Sequence, residues 1–121
     1  MKKILVVDDE SDIIEILKFM FESHGYECIT AMDGEEGLKL AKEANPDLII
    51  LDVMMPKING YKICRLLKFD NKYKNVPIFM LTARSQDEDR LIGEETGADE
   101  YITKPFDVDY IVEKVKNYIG N

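Results

Sequence analysis

Short apolar runs alternate with longer stretches of helical periodicity along the whole chain. The runs 3–8, 26–31, 47–52, 76–81 and 98–102 are rich in Val, Ile, Leu or aromatic residues, have turn signals around them, and read as strands. Between them, segments at about 11–23, 34–44, 59–69, 86–95 and 107–119 are amphipathic and of helical length. Strict βαβα alternation predicts an α/β fold, a parallel sheet with right-handed crossovers and helices on both faces. Boundary residues agree with these limits. Ser11 or Asp12 can cap the first helix, His24-Gly25 can close it, Asp33-Gly34 opens the second, Asn45-Pro46 blocks its continuation, and Asn59-Gly60 turns into the third. There is no linker, repeat or low-complexity stretch, so residues 1–121 read as one domain.

The first helix is more apolar than a surface helix requires. Ile13, Ile14, Ile16, Leu17, Phe19, Met20 and Phe21 cover an arc of about 220° at about 100° per residue, whereas a core-facing stripe needs little over about 100°. Ile13, Leu17 and Met20 lie mid-arc and are expected in the core. The edge formed by Ile16 and Phe19 is the candidate for binding a partner helix.

Four of the strand runs end in reactive polar residues: Ile4–Val7 in Asp8-Asp9, Leu48–Leu51 in Asp52, Val76–Leu81 in Thr82, and Tyr101–Thr103 in Lys104. In an open parallel sheet these carboxyl ends share one edge, where such sheets bind ligands. Three carboxylates at one point repel each other unless a cation neutralises them, and an oxygen-only donor set suits Mg²⁺, with Mn²⁺ as a substitute. Lys104 and Thr82 supply the charge and the hydroxyl donor that stabilise a transferring phosphoryl group. A carboxylate not wholly engaged by metal can attack phosphorus and form an acyl phosphate. Asp52, central and isolated, is the best candidate, while Asp8 and Asp9 look like a metal-holding pair.

Composition narrows the partners. With 24 acidic against 16 basic residues the formal net charge is −8, which argues against a nucleic-acid or anionic-membrane partner. The apolar part of the first run, Ile4 to Val7, is too short for a signal-peptide core, and no stretch is long enough to span a bilayer, so a cytoplasmic location is expected. Cys28 and Cys64 show no metal-ligand spacing and are expected to be buried, reduced thiols. His24, at a helix end away from the carboxylates, is expected to cap rather than catalyse.

The segments Val6-Val7-Asp8-Asp9-Glu10, Leu51-Asp52-Val53-Met54-Met55-Pro56, Asn59-Gly60, Leu81-Thr82-Ala83 and Gly97–Phe106 resemble the receiver domain of two-component response regulators. The resemblance covers essentially the whole chain, in order and at family-like spacing. It implies a flavodoxin-like (βα)5 doubly wound three-layer sandwich with a parallel five-stranded sheet of order 2-1-3-4-5. It further implies that Asp52 is the phosphoacceptor, attacking a phosphohistidine of a sensor kinase or phosphotransfer protein. Asp9, Asp52 and the backbone carbonyl of Met54 would bind Mg²⁺, with Asp8 helping through water. Lys104 would pair with a phosphoryl oxygen, its bond to Pro105 being cis, and Thr82 with the backbone N–H of Ala83 would follow the phosphoryl group. Tyr101 would then swing inward, changing the face made by the helix over 86–95, the fifth strand and the last helix, for a downstream protein target or onward phosphorelay. The unphosphorylated chain is expected to be a monomer, with dimerisation through that face on phosphorylation left open. Receivers also resemble one another in offering their first helix to the kinase, which strengthens the docking reading of Ile16 and Phe19. Met54 and Arg84 occupy the variable positions two residues beyond Asp52 and Thr82, where bulk in the family slows loss of the phosphoryl group.

Two other readings compete. A Mg²⁺-dependent aspartyl-phosphate phosphohydrolase usually carries a second carboxylate two residues after its nucleophile as general acid/base, and here that place holds Met54. A flavin-binding protein of similar fold needs a phosphate-cradling loop after the first strand, where Asp8 and Asp9 would repel the ligand. The expectation is therefore a switch rather than an enzyme, catalysing only its own phosphorylation and dephosphorylation.

Overall fold

The computed structural model describes residues 1–83 and 97–120. In chain order the elements are β1 (Lys3–Val7), α1 (Ser11–Ser23), β2 (Glu27–Ala31), α2 (Gly34–Glu43), β3 (Leu48–Asp52), α3 (Gly60–Lys68), β4 (Ile78–Thr82), β5 (Glu100–Thr103) and α4 (Val108–Ile119). The helix expected over 86–95, and Arg84, lie outside the described residues. All strand pairs are parallel and the sheet order is β2-β1-β3-β4-β5, as the resemblance implied.

Alternation along the buried strands divides the core into two layers. Ile4, Val6, Ile50, Phe79 and Leu81 point to the side covered by α1 and α4, where they meet Leu17, Phe21, Ile111 and Val115. Leu5, Val7, Leu51, Ile78 and Met80 point to the other side and meet Ala41, Ile63, Cys64 and Leu67 from α2 and α3. Because β1, β3 and β4 are covered on both faces they carry near-continuous apolar residues, as parallel strands do. Cys28 and Cys64 are buried thiols, and burial pushes Cys28 up to about 12.

Helix ends follow the expected chemistry except at α1. Asp33 caps α2 by accepting the Glu36 N–H at 2.8 Å, and Asn59 caps α3 by accepting the Lys62 N–H at 3.0 Å. His24 is the C-cap of α1, and Gly25 follows with φ of 89°, in the left-handed region that favours glycine. The expected Ser11 or Asp12 cap is not made: the cap residue is Glu10, without a side-chain cap bond, and Ser11 is already helical. The reason lies one step upstream, where the Asp8 carboxylate accepts the Glu10 N–H at 2.8 Å and starts the helix at once. The core stripe of α1 is also displaced. Ile14, Leu17 and Phe21 are buried, while Ile13 and Met20 only pack half-buried against the same cluster. Ile16 and Phe19 are exposed, at 47% and 70%.

Candidate functional site

Strand register assembles the site. Val7 is paired with Leu51, Asp52 with Leu81, and Thr82 with Thr103, so Asp8, Asp52, Thr82 and Lys104 all occur where neighbouring strands end. Backbone bonds hold the edge beyond the ladder: Asp8 N–H to the Ala31 carbonyl, Val53 N–H to that of Leu81, and Lys104 N–H to that of Thr82. Asp8, Asp52 and Thr82 are buried at 0%, 5% and 2% exposure, polar or charged side chains in a core that is largely apolar among the described residues, whereas Asp9 is exposed. Asp8, Asp9 and Asp52 each offer a carboxylate oxygen within 4.8 Å of the others.

Lys104 sits among these charges. Its Nζ donates to Asp8 Oδ2 at 3.0 Å and lies 3.5 Å from Asp52 Oδ1 and 3.9 Å from Glu10 Oε2. The Lys104-Pro105 peptide is cis, as the resemblance implied. Burial alone would lower the Lys104 ammonium, yet the Asp8 hydrogen bond and the charges of Asp8, Asp52 and Glu10 leave it raised. Asp52 is pushed up to about 6, first by burial and then by the Asp8 charge, against the opposing pull of Lys104. Asp8 is raised for the same first reason, moderated by the Glu10 N–H and Lys104. Among the described residues one ammonium therefore faces more negative charge than it can balance, and the site favours a further cation. The donor set is three carboxylates and no sulfur or imidazole, which fits Mg²⁺.

The remaining predicted residues fall around this centre. The Met54 backbone N–H donates to Asp52 Oδ1 at 3.4 Å, and its side chain is 62% exposed. Ala83 is exposed beside the site. Tyr101 is half-buried, with its hydroxyl oxygen shielded from solvent, and packs against the α2–α3 side of the core. Ile16 lines a groove of about 580 Å³ that runs past Glu10, Ala83 and Lys104 to Pro105 and Phe106, while Phe19 lies outside its lining. Sequence reasoning missed Glu10 and Phe106. Glu10 was legible as the third acid of the run after β1, and Phe106 as the first aromatic after Lys104-Pro105; neither signal gives their distance from Ile16 or Lys104.

The loop after β3 is held by the N-terminal ends of α2 and α3. Gly34 N–H donates to the Pro56 carbonyl at 3.3 Å, Lys57 Nζ lies 3.5 Å from Asp33 Oδ2, and Gly60 N–H donates to the Val53 carbonyl at 2.9 Å. A Cβ on Gly34 would collide with the Ile58 carbonyl oxygen, so only glycine lets α2 approach this loop so closely.

Comparison with known proteins agrees with this geometry. The response regulator receiver domain family matches residues 4–116. The alkaline phosphatase synthesis transcriptional regulatory protein PhoP of Bacillus subtilis is 49% identical over 115 residues, covering 95% of this chain and 47% of that protein. The chain thus spans about half the length of the curated relatives it matches. The chemotaxis response regulator CheY4 of Vibrio cholerae superposes with a TM-score of 0.91 at 34% identity, over 98% of this chain and 99% of that one. The response regulator TrrA of Thermotoga maritima, solved in complex with Mg²⁺-BeF, superposes with a TM-score of 0.86 at 44% identity, over 98% of this chain and all of that one. A carboxylate cluster around one lysine at the carboxyl edge of a 2-1-3-4-5 sheet, in a chain matched from residue 4 to residue 116, places this protein in the response regulator receiver family, the phosphoacceptor signalling switches of two-component systems.

Proposed function

We propose that Asp52 is the phosphoacceptor of a receiver domain extending over residues 1–121, and that its phosphorylation is read through Thr82 and Tyr101. The observation that carries this is the placement of Asp52: 5% exposed, 3.5 Å from Lys104, and beside Asp8 and Asp9. A nucleophile raised to about 6 is still mostly ionised at neutral pH, yet poorly solvated, so little water must be stripped from it before it attacks. One carboxylate oxygen of Asp52 would form the new bond to phosphorus as the bond from phosphorus to the donor's imidazole nitrogen breaks and the pair leaves with the imidazole. Asp9, Asp52 and the Met54 carbonyl would hold Mg²⁺ (or Mn²⁺), which supplies charge neutralisation for the transferring group.

Asp8 is better placed as an outer partner than as a direct ligand, being fully buried and already accepting from Lys104 and the Glu10 N–H. Lys104 would exchange part of its contact with the carboxylates for a phosphoryl oxygen. Thr82, buried in the next strand end, would donate its hydroxyl to another, and the Ala83 N–H would donate alongside it. Tyr101 then reports the shift of Thr82 to the outer face of β5. The donor is a sensor histidine kinase or phosphotransfer protein docking on Ile16 and Phe19, and the readers are a downstream protein target or a second histidine. With Met54 where a phosphohydrolase carries its acid, that position supplies no proton-transfer group for rapid turnover, which supports a lasting phospho-form.

Incubation with acetyl phosphate and Mg²⁺, followed by intact mass measurement, tests the assignment. The wild type is expected to gain one phosphoryl mass only when metal is present, and Asp52→Ala to gain none. Equal modification of the variant would place the acceptor elsewhere.

A further inference from the structure

Charge is unevenly distributed along this chain. Residues 57–74 contain six lysines and arginines and one aspartate, a net charge of +5 within a chain of −8, so the remainder carries −13. This basic stretch contains α3 and the turn after it. Its inner stripe, Ile63, Cys64 and Leu67, is buried in the core. Its outer stripe is Lys62, Arg65, Leu66 and Phe69, and the two apolar members are exposed at 46% and 73%. A surface helix ordinarily turns polar residues outward, so a leucine and a phenylalanine three positions apart on the solvent side call for an explanation.

These side chains frame a groove of about 900 Å³ lined by Lys62, Arg65, Leu66, Phe69, Asp70 and Asn71. Its cations are available. Lys68, by contrast, is spent internally on Asp99 at 2.7 Å and on the Val76 carbonyl at 2.8 Å. Among the described residues neither Lys62 nor Arg65 pairs with a carboxylate; Arg65 lies 6.0 Å over the Phe69 ring. The one acid of the rim, Asp70, accepts the Lys72 N–H at 2.9 Å. The groove runs along the outer side of α3 and past its C-terminal end, away from the Asp52 cluster. α3 begins where the Gly60 N–H meets the Val53 carbonyl at the carboxyl edge of the sheet, and it ends beside Val76, where the chain approaches β4 at the opposite edge.

We propose that this groove docks an amphipathic helix of a partner protein, one that seats an apolar side chain between Leu66 and Phe69 and sets carboxylates against Lys62 and Arg65. Charge complementarity selects the occupant: a basic patch on a chain whose remainder carries a net −13 attracts an acidic partner that the remainder as a whole repels. An apolar floor selects a helix face over a polyphosphate, whose strand would meet Asp70 and the acidic remainder of the chain. Since the groove's lining shares no residue with the Asp52 cluster, the partner binds whether or not Asp52 is phosphorylated, and the surface serves to localise the protein rather than to read its state.

Amide NMR of the intact chain, titrated with a synthetic helical peptide bearing leucines on one face flanked by glutamates, tests this. Shifts are expected at residues 62–74, unchanged by Mg²⁺ and beryllofluoride, and weakened by salt. Phe69→Ser and Arg65→Glu should each weaken binding about tenfold, the effect of losing one anchor. Both positions are exposed, and the variants' own spectra verify their fold. A scrambled peptide of the same composition binding equally well, shifts centred elsewhere, no shifts at all, or tighter binding of single-stranded oligo-dT would each overturn the proposal.

Discussion

Replacing Asp52 with asparagine should stabilise the metal-free protein at neutral pH, and the structure sets the size. Asp52 is 5% exposed, and burial followed by the Asp8 charge pushes it from an ordinary 3.8 to about 6. At about 1.4 kcal/mol per pH unit, the ionised carboxylate costs the fold about 3 kcal/mol. The sign follows from proton binding. Between 3.8 and about 6 the folded state keeps a proton that the unfolded chain has released, so stability falls as pH rises through this window and levels off above it. Asparagine has no proton to lose. Urea unfolding of both proteins in EDTA should therefore give a difference that grows by about 3 kcal/mol between about pH 4 and pH 7, or about 10 °C in Tm. Asp8, raised by burial in the same direction, persists in the variant, so the difference between the two curves is the readout. Saturating Mg²⁺ should shrink the gap, because metal neutralises the charge that asparagine removes. A difference that stays flat with pH, or an asparagine variant less stable at neutral pH, would refute the reasoning.

Three other perturbations have defined outcomes. Lys104→Met leaves the fully buried Asp8 without its ammonium partner and should cost about 3 kcal/mol at neutral pH by urea unfolding; a change under about 0.5 kcal/mol would show that Lys104 is not the counter-charge. Lys104 is raised in the folded state, so its contribution is fully present below its ordinary 10.5 and fades only above that. Gly34→Ala forces the Ile58 carbonyl to move and should cost about 2 kcal/mol while weakening Mg²⁺ binding by calorimetric titration, since the displaced loop carries Met54; unchanged affinity would separate that loop from the metal site. Replacing Ile16 and Phe19 together with polar residues should slow transfer from a cognate kinase but spare labelling by acetyl phosphate, and equal loss with both donors would exclude a docking role.

Much of this architecture was legible because the signals were redundant. Four of the five described strands end at or next to the polar residue that terminates their apolar run, and Asp33 and Asn59 cap the helices they were expected to open. The errors arose where several faces look alike. On α1 an apolar arc of about 220° contains more than one plausible core stripe, and tertiary packing buries Ile14 and Phe21 while leaving Ile13 and Met20 half-buried against the same cluster. The α1 cap was misplaced because Asp8, expected to serve only metal, also accepts the Glu10 N–H. Likewise, the order of the charges along β1, β3 and β5 does not say that Lys104 approaches Asp8 more closely than Asp52, since that depends on the depth of each carboxylate below the surface. The basic outer stripe of α3 was present in the sequence too, but the total of −8 concealed it.

The most direct test of a switch built on Asp52 is amide NMR of the wild type with and without Mg²⁺ and beryllofluoride, a phosphoryl mimic. Shifts are expected at Asp52, Thr82, Ala83 and Lys104, and also at Tyr101 and its neighbours on β5, with Asp52→Asn silent throughout. Shifts confined to the acidic cluster, leaving Tyr101 and β5 unmoved, would contradict the claim that phosphorylation of this site changes the protein's surface.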